Sequence, residues 1–128
     1  WRVSGQEIKM YLPHYDPIPQ DYDHVTWDFS HAATAKMDSL RAIKLLGSRL
    51  AHVHLTDGAG SPADEHLLPG HGNQRVVESL HYLAESDYDG AVCIEVSTRG
   101  QKYPGHREAL AFTRKHLARN PATQGEQH

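Results

Sequence analysis

The sequence predicts an α/β protein with parallel strands, and three observations predict it. Short β-branched and aromatic runs at residues 24–29 (HVTWDF), 50–56 (LAHVHLT) and 91–96 (AVCIEV) have the composition of strands. After each run comes a segment whose apolar residues recur at helical spacing. Strand and helix alternating at this length call for parallel pairing through right-handed crossovers.

Taken in order, residues 1–23 are interrupted by Pro13, Pro17 and Pro19 and read as a connecting loop segment. The strand at 24–29 leads into a helix over 32–46, where Ala33, Met37, Leu40, Ile43 and Leu46 share a face and Gly47 supplies the stop. The strand at 50–56 opens a Gly- and Pro-rich loop that runs to Gly72. A helix over 73–86 then carries Val76, Val77, Leu80 and Leu83. The strand at 91–96 is followed by a loop with Gly100, Pro104 and Gly105, and by a helix over 107–119 built on Leu110, Phe112 and Leu117. The polar stretch 120–128 reads as a flexible tail.

Composition narrows the function. A length of 128 residues supplies one compact unit or a portion of a larger one, and 38% hydrophobic with 23% charged residues can support a packed core. Thirteen Lys and Arg against 16 Asp and Glu leave a net charge of −3, which gives no broad basic field for nucleic acid. A lone cysteine, Cys93, cannot form an internal disulfide, so a reducing cytoplasm is the expected compartment. No apolar run approaches the ~20 residues that cross a bilayer, and no membrane partner is expected. The chain begins with Trp1 where a start would supply methionine, and is expected to be the later part of a longer protein.

Strand alternation brings the chemistry into view, because successive side chains point to opposite faces. One face collects Val25, Trp27, Phe29, Val53, Leu55, Val92, Ile94 and Val96, an apolar surface for helices to cover. The other collects Thr26, Asp28, His52, His54, Cys93 and Glu95, with ionisable groups near the strand C-terminal ends where α/β barrels and open sheets place their sites. Asp28, His54 and Glu95 are oxygen, nitrogen and oxygen donors from three consecutive strands, a mixed set suited to Mn²⁺, Zn²⁺, Co²⁺ or Fe²⁺. His31, three residues past Asp28, and the pair Asp64 and His66 in SPADEHLLPGHG bring the candidate ligands to six. His52 sits about 6.6 Å deeper along its strand than His54 and is left out of the shell.

The segments TWDFSHA, HVHLTDG, DEHLLPGHG and DGAVCIEVSTR resemble the last strands of the xylose-isomerase-like barrel superfamily, which includes sugar phosphate isomerases and epimerases and the endonuclease IV type of apurinic-site nuclease. The resemblance covers residues 24–118 and implies that residues 24–119 are the C-terminal portion of a (β/α)8 TIM barrel, its last three strand-helix units. It implies Asp28, His54 and Glu95 as metal ligands. His31 matches the family's histidine three residues past the aspartate, which binds substrate in the epimerases. In the nuclease type that histidine joins an Asp-x-His pair, here Asp64 and His66, in a multinuclear zinc site. The family's upstream half, with a further metal-binding glutamate, lies outside this chain. Where the family often reads PGRG, this chain reads PGHG with His71.

The expected function is that of a metal-dependent sugar or sugar phosphate isomerase or epimerase fragment. Glu95 is metal ligand and catalytic proton shuttle next to a carbonyl, through a metal-stabilised enediolate. Asp64 is a further metal ligand, His31 and His66 hold substrate hydroxyls, and Arg99 meets a sugar phosphate. Thr26 and Thr56 are expected to orient His52 and His54. The alternatives are an apurinic-site phosphodiesterase, disfavoured because residues 57–72 hold no Lys or Arg, and a non-catalytic barrel remnant that self-associates or pairs with the missing half. Cys93 is expected to be a small buried thiol, and Asp57 a capping or turn residue as readily as a substrate contact. His14, His24, His81, His106, His116 and His128 are expected at the surface without partners.

Overall fold

Each of the three strand segments forms a parallel strand, and a helix follows each. The computed structural model describes residues 2–3, 6–7, 15–97 and 102–119. Strands β3 (Val25–Asp28), β4 (Leu50–Leu55) and β5 (Ala91–Ile94) form one sheet in the order β3-β4-β5, both pairs parallel. Ahead of them, β1 (Arg2–Val3) and β2 (Gln6–Glu7) make a two-residue antiparallel ladder where a loop was expected. The predicted tail, 120–128, lies outside the described residues.

The helix expected over 32–46 is two helices. Helix α1 (Phe29–Thr34) begins as soon as β3 ends, because Asp28 caps it: its carboxylate accepts the His31 N–H at 3.0 Å. The helix stops at Ala35, with Lys36 in a left-handed conformation at φ 57°. Asp38 then caps α2 (Ser39–Leu46) by accepting the N–H groups of Leu40 and Arg41 at 3.0 and 3.3 Å. The apolar period runs straight through a break that a second capping aspartate imposes. Helix α3 (Val76–Glu85) starts later than expected and α4 (Lys102–Leu117) earlier. Pro104 falls in the first turn of α4, where a missing N–H leaves no bond unmade.

The core lies between the helices and one face of the sheet. Val25, Trp27, Val53 and Leu55 meet Phe29, Ile43, Leu46, Leu80 and Leu83, all 6% exposed or less. Each fully buried aliphatic side chain here stabilises the fold by about 1.5–3 kcal/mol. A buried polar relay ties the layers together: the Trp27 indole N–H donates to Ser39 Oγ at 3.0 Å, and Ser39 Oγ donates to Gln74 Oε1 at 2.7 Å. The opposite face of the sheet presents Thr26, His52, His54, Cys93 and Glu95. Cys93 is exposed, against the expectation of a buried thiol, because nothing among the described residues covers that face of β5. No helix among the described residues is long and apolar enough to cross a membrane.

Candidate functional site

The register of the sheet puts Asp28, His54 and Cys93 side by side in one row, and Glu95 follows one position past the end of β5. The Glu95 N–H donates to the Leu55 carbonyl at 2.9 Å, so backbone pairing continues far enough to hold it beside His54. His54 Nδ1 lies 3.0 Å from Glu95 Oε2 and 3.4 Å from Asp28 Oδ2. One donor atom from each of Asp28, His54 and Glu95 lies within 4.8 Å of the others. Asp28 is 8% exposed, and its Oδ2 has no hydrogen-bond partner among the described residues. A buried carboxylate oxygen without a donor is costly, and a cation shared with the imidazole and the second carboxylate would remove that cost. Together with the oxygen and nitrogen donor set, this orphaned oxygen makes the residues a fit for a divalent ion.

A second cluster stands beside the first on the long loop between β4 and α3. Asp57, 1% exposed, anchors that loop. Its Oδ1 accepts the N–H groups of Gly58 and Gln74, and its Oδ2 those of Gly70 and Gly72, at 2.9 to 3.2 Å. A side chain at residue 72 would run into that carboxylate, which is why glycine stands there. An antiparallel bridge from Asp57 to Leu67 closes the loop further, and the Thr56 hydroxyl donates to the Leu67 carbonyl at 3.1 Å. Thr56 therefore shapes the loop, against the expectation that it orients a strand histidine. Asp57, read from sequence as turn former or substrate contact, is a turn former.

The closed loop presents Asp64 and His66 to His31 at the start of α1. Asp64 Oδ2 lies 3.1 Å from His31 Nε2 and 2.9 Å from His66 Nε2, and the three residues offer ligand atoms within 4.8 Å of one another. His66 has a left-handed backbone at φ 47°, a conformation costing about 1 kcal/mol for a non-glycine residue. Four bonds hold it there: its N–H donates to Ser30 Oγ, Nδ1 meets the Glu95 carbonyl, Nε2 meets Asp64, and its carbonyl accepts the Ser97 N–H. Burial alone would lower the His66 pKa, but the Glu95 carbonyl and the Asp64 carboxylate outweigh it and raise it. Burial works upward on Asp64, yet the Ser30 hydroxyl and the two imidazoles hold its carboxyl below the ordinary range.

Of the sequence-predicted residues, the structure groups Asp28, His54 and Glu95 as one set and His31, Asp64 and His66 as another. Asp64 belongs with the loop set because the loop carries it to the α1 end. The two sets touch through His31 Nε2, 3.8 Å from Asp28 Oδ2. His14, Arg99 and His128 lie outside the described residues. His52 stands below His54, its ring edge-on at 5.1 Å. His71 is turned away to Glu108 of α4 at 3.2 Å. Two histidines expected to be unpartnered, His81 and His116, pair across α3 and α4 at 3.2 Å. Sequence reasoning missed Ser30, which is buried and bonded to both loop residues. Its signal was a serine and a threonine four residues apart, Ser30 and Thr34, on the short helix that carries His31.

A family model described as a xylose isomerase-like TIM barrel matches residues 16–116. Curated relatives include an uncharacterized protein of Mycobacterium tuberculosis, 44% identical over 120 residues, covering 90% of this chain and 43% of that protein. A protein of Mycobacterium leprae is 42% identical over the same share of both chains, and one of Methanocaldococcus jannaschii is 38% identical over 56% of this chain and 25% of its own. The chain thus spans about two fifths of the mycobacterial relatives it matches. Among solved structures, a D-tagatose 3-epimerase-like protein superposes with a TM-score of 0.56 and 31% identity, over 77% of this chain and 40% of that one.

Proposed function

Because the chain belongs to the xylose isomerase-like TIM-barrel family, we propose that it carries the metal-binding and proton-transferring part of a sugar or sugar phosphate isomerase or epimerase. The observation that supports this best is the Asp28 Oδ2 that accepts no hydrogen bond among the described residues, beside a His54 that also meets Glu95 where three parallel strands end. The printed description of the superposed epimerase-like structure points the same way.

Asp28, His54 and Glu95 would hold a divalent ion, Mn²⁺, Zn²⁺, Co²⁺ or Fe²⁺, which when bound supplies Lewis-acid polarisation of a carbonyl. Glu95 is the residue for proton transfer. Its side chain is 47% exposed and reachable by a ligand, while its backbone is fixed by the Leu55 carbonyl. In this role it takes a proton from the carbon next to the carbonyl and returns one to the neighbouring carbon on the same face; epimerisation would need a second acid from the rest of the barrel to protonate the opposite face. His31 and His66, both beside Asp64 Oδ2, bind sugar hydroxyls, and Arg99 meets the phosphate of a phosphorylated substrate. Neighbouring barrel strands are the expected partner for the uncovered face of the sheet. The unpaired Cys93 suits a reducing cytoplasm.

One observation favours a second reading, an apurinic-site phosphodiesterase: His31, Asp64 and His66 also assemble into a ligand group of their own. Against it, residues 57–72 carry Asp64 and Glu65 and no Lys or Arg to meet a phosphate backbone. The discriminating experiment supplies the remaining barrel segment and Mn²⁺ or Zn²⁺. It then compares deuterium uptake at carbon in a panel of ketoses and ketose phosphates with nicking of an abasic duplex. Carbon-bound exchange that Glu95→Gln abolishes supports the isomerase reading. Nicking without exchange replaces it with the nuclease, and neither activity leaves a non-catalytic barrel remnant.

A further inference from the structure

Helix α1 also serves as the bed on which the long loop rests. Ser30 is 1% exposed, and its hydroxyl bonds twice to that loop. Oγ donates to Asp64 Oδ1 at 2.5 Å and accepts the His66 N–H at 3.1 Å. One turn further on, the Thr34 hydroxyl donates to the Ser30 carbonyl at 3.1 Å, with the Ala63 carbonyl of the loop 3.4 Å away. The loop is therefore seated on the side of α1 that carries residues 30 and 34, and both partners of Ser30 belong to the cluster with His31.

An ionised carboxylate can meet a cation through one oxygen or through two. Here the hydroxyl occupies Oδ1, and Oδ2 is the oxygen that faces both imidazoles, at 3.1 and 2.9 Å. We infer that Ser30 is a positioning residue that holds Asp64 to a single coordinating oxygen, so that a cation taken by His31, Asp64 and His66 keeps a coordination position open to substrate or water. This deepens the second reading above, in which His31, Asp64 and His66 form a ligand group of their own, and rests on it. Three protein ligands with an open position are the arrangement of catalytic centres, whereas structural sites are closed by four. The same hydroxyl fixes His66 through its backbone N–H, and so helps hold a residue whose left-handed backbone would otherwise relax.

The test uses the purified chain, wild type beside Ser30→Ala and Ser30→Thr, with two readouts. In metal-free protein, amide hydrogen exchange at His66 reports the bond to Oγ. Ser30→Ala is expected to speed that exchange about tenfold, and Ser30→Thr, which keeps the hydroxyl, to hold it near wild type. In protein titrated with Co²⁺ alone, with Asp28→Asn as background to silence the strand-end group, the visible absorption of the loop cluster reports coordination number. Ser30→Ala is expected to shift it towards higher coordination as Oδ1 is freed, and Ser30→Thr to leave it unchanged. Unchanged exchange in Ser30→Ala overturns the positioning role. Altered exchange with an unchanged Co²⁺ spectrum overturns the single-oxygen claim. Altered exchange with no Co²⁺ bound by any variant keeps Ser30 as the loop's anchor, overturns the open-position claim and removes the metal reading of this cluster.

Discussion

Asp57 and Asp28 stand at the ends of neighbouring strands, at 1% and 8% exposure, and the backbone around them treats their carboxylates in opposite ways. Four N–H groups converge on Asp57, two to each oxygen, so its charge is neutralised where it sits. Asp28 receives one N–H on Oδ1, the cap of α1, while Oδ2 accepts no hydrogen bond among the described residues and lies 3.4 Å from His54 and 3.8 Å from His31. One carboxylate organises a loop. The other is left with binding capacity in a place where leaving it so is costly, and that difference separates a structural acid from a candidate ligand more sharply than burial does.

The largest effect expected from breaking this contrast is Asp57→Ala. It leaves four N–H groups of one loop, two of them in buried bonds, without their acceptor and should destabilise the fold by roughly 3 kcal/mol, read as a fall in the urea midpoint. Asp28→Asn should do the reverse of what its burial suggests. Asparagine keeps the α1 cap and removes a buried charge whose second oxygen accepts no hydrogen bond among the described residues, so metal-free stability should change by less than about 1 kcal/mol while metal affinity falls at least about a hundredfold by calorimetric titration. Adding Mn²⁺ or Zn²⁺ at about 100 times the dissociation constant of the strand-end group should stabilise the wild type by about 2.7 kcal/mol through that group, and Asp28→Asn should lose that share of the stabilisation.

A smaller effect follows from Asp64 and His66. The lowered Asp64 carboxyl contributes stability that is present above its unfolded pKa and lost as pH falls through its folded value. The raised His66 imidazole contributes below its unfolded pKa and loses that contribution as pH rises through its folded value. In metal-free protein the pair should therefore stabilise most between the ordinary carboxylate and imidazole ranges. Asp64→Asn should flatten a stability profile measured across that window. Smallest of all, Asp38→Ala removes an exposed cap and an ion pair with Arg75 and should cost about 0.5–1 kcal/mol.

The same contrast explains what could be read from sequence. Strand alternation put Asp28, His54 and Glu95 on one face because side chains alternate strictly along a strand, and parallel register then brought them together. The resemblance to the xylose-isomerase-like barrels rested on those strand ends and on the loop motif DEHLLPGHG, and the family model bears it out. The break between α1 and α2 was hidden because Ala33, Met37 and Leu40 keep the apolar period across it, whereas Asp38 reveals itself only through the N–H groups it caps. The roles of Ser30, Thr56 and Asp57 depend on where a 20-residue stretch of loop folds back, and no periodicity encodes that. The exposure of Cys93 followed from the absence of a covering layer among the described residues, which a strand pattern cannot report.

The most direct test is anomalous diffraction at the zinc absorption edge on crystals grown with Zn²⁺. A peak about 2.0–2.2 Å from Asp28 Oδ2, His54 Nδ1 and a Glu95 carboxylate oxygen is predicted. A fully occupied zinc elsewhere, with those three side chains still paired only to one another, would contradict the account.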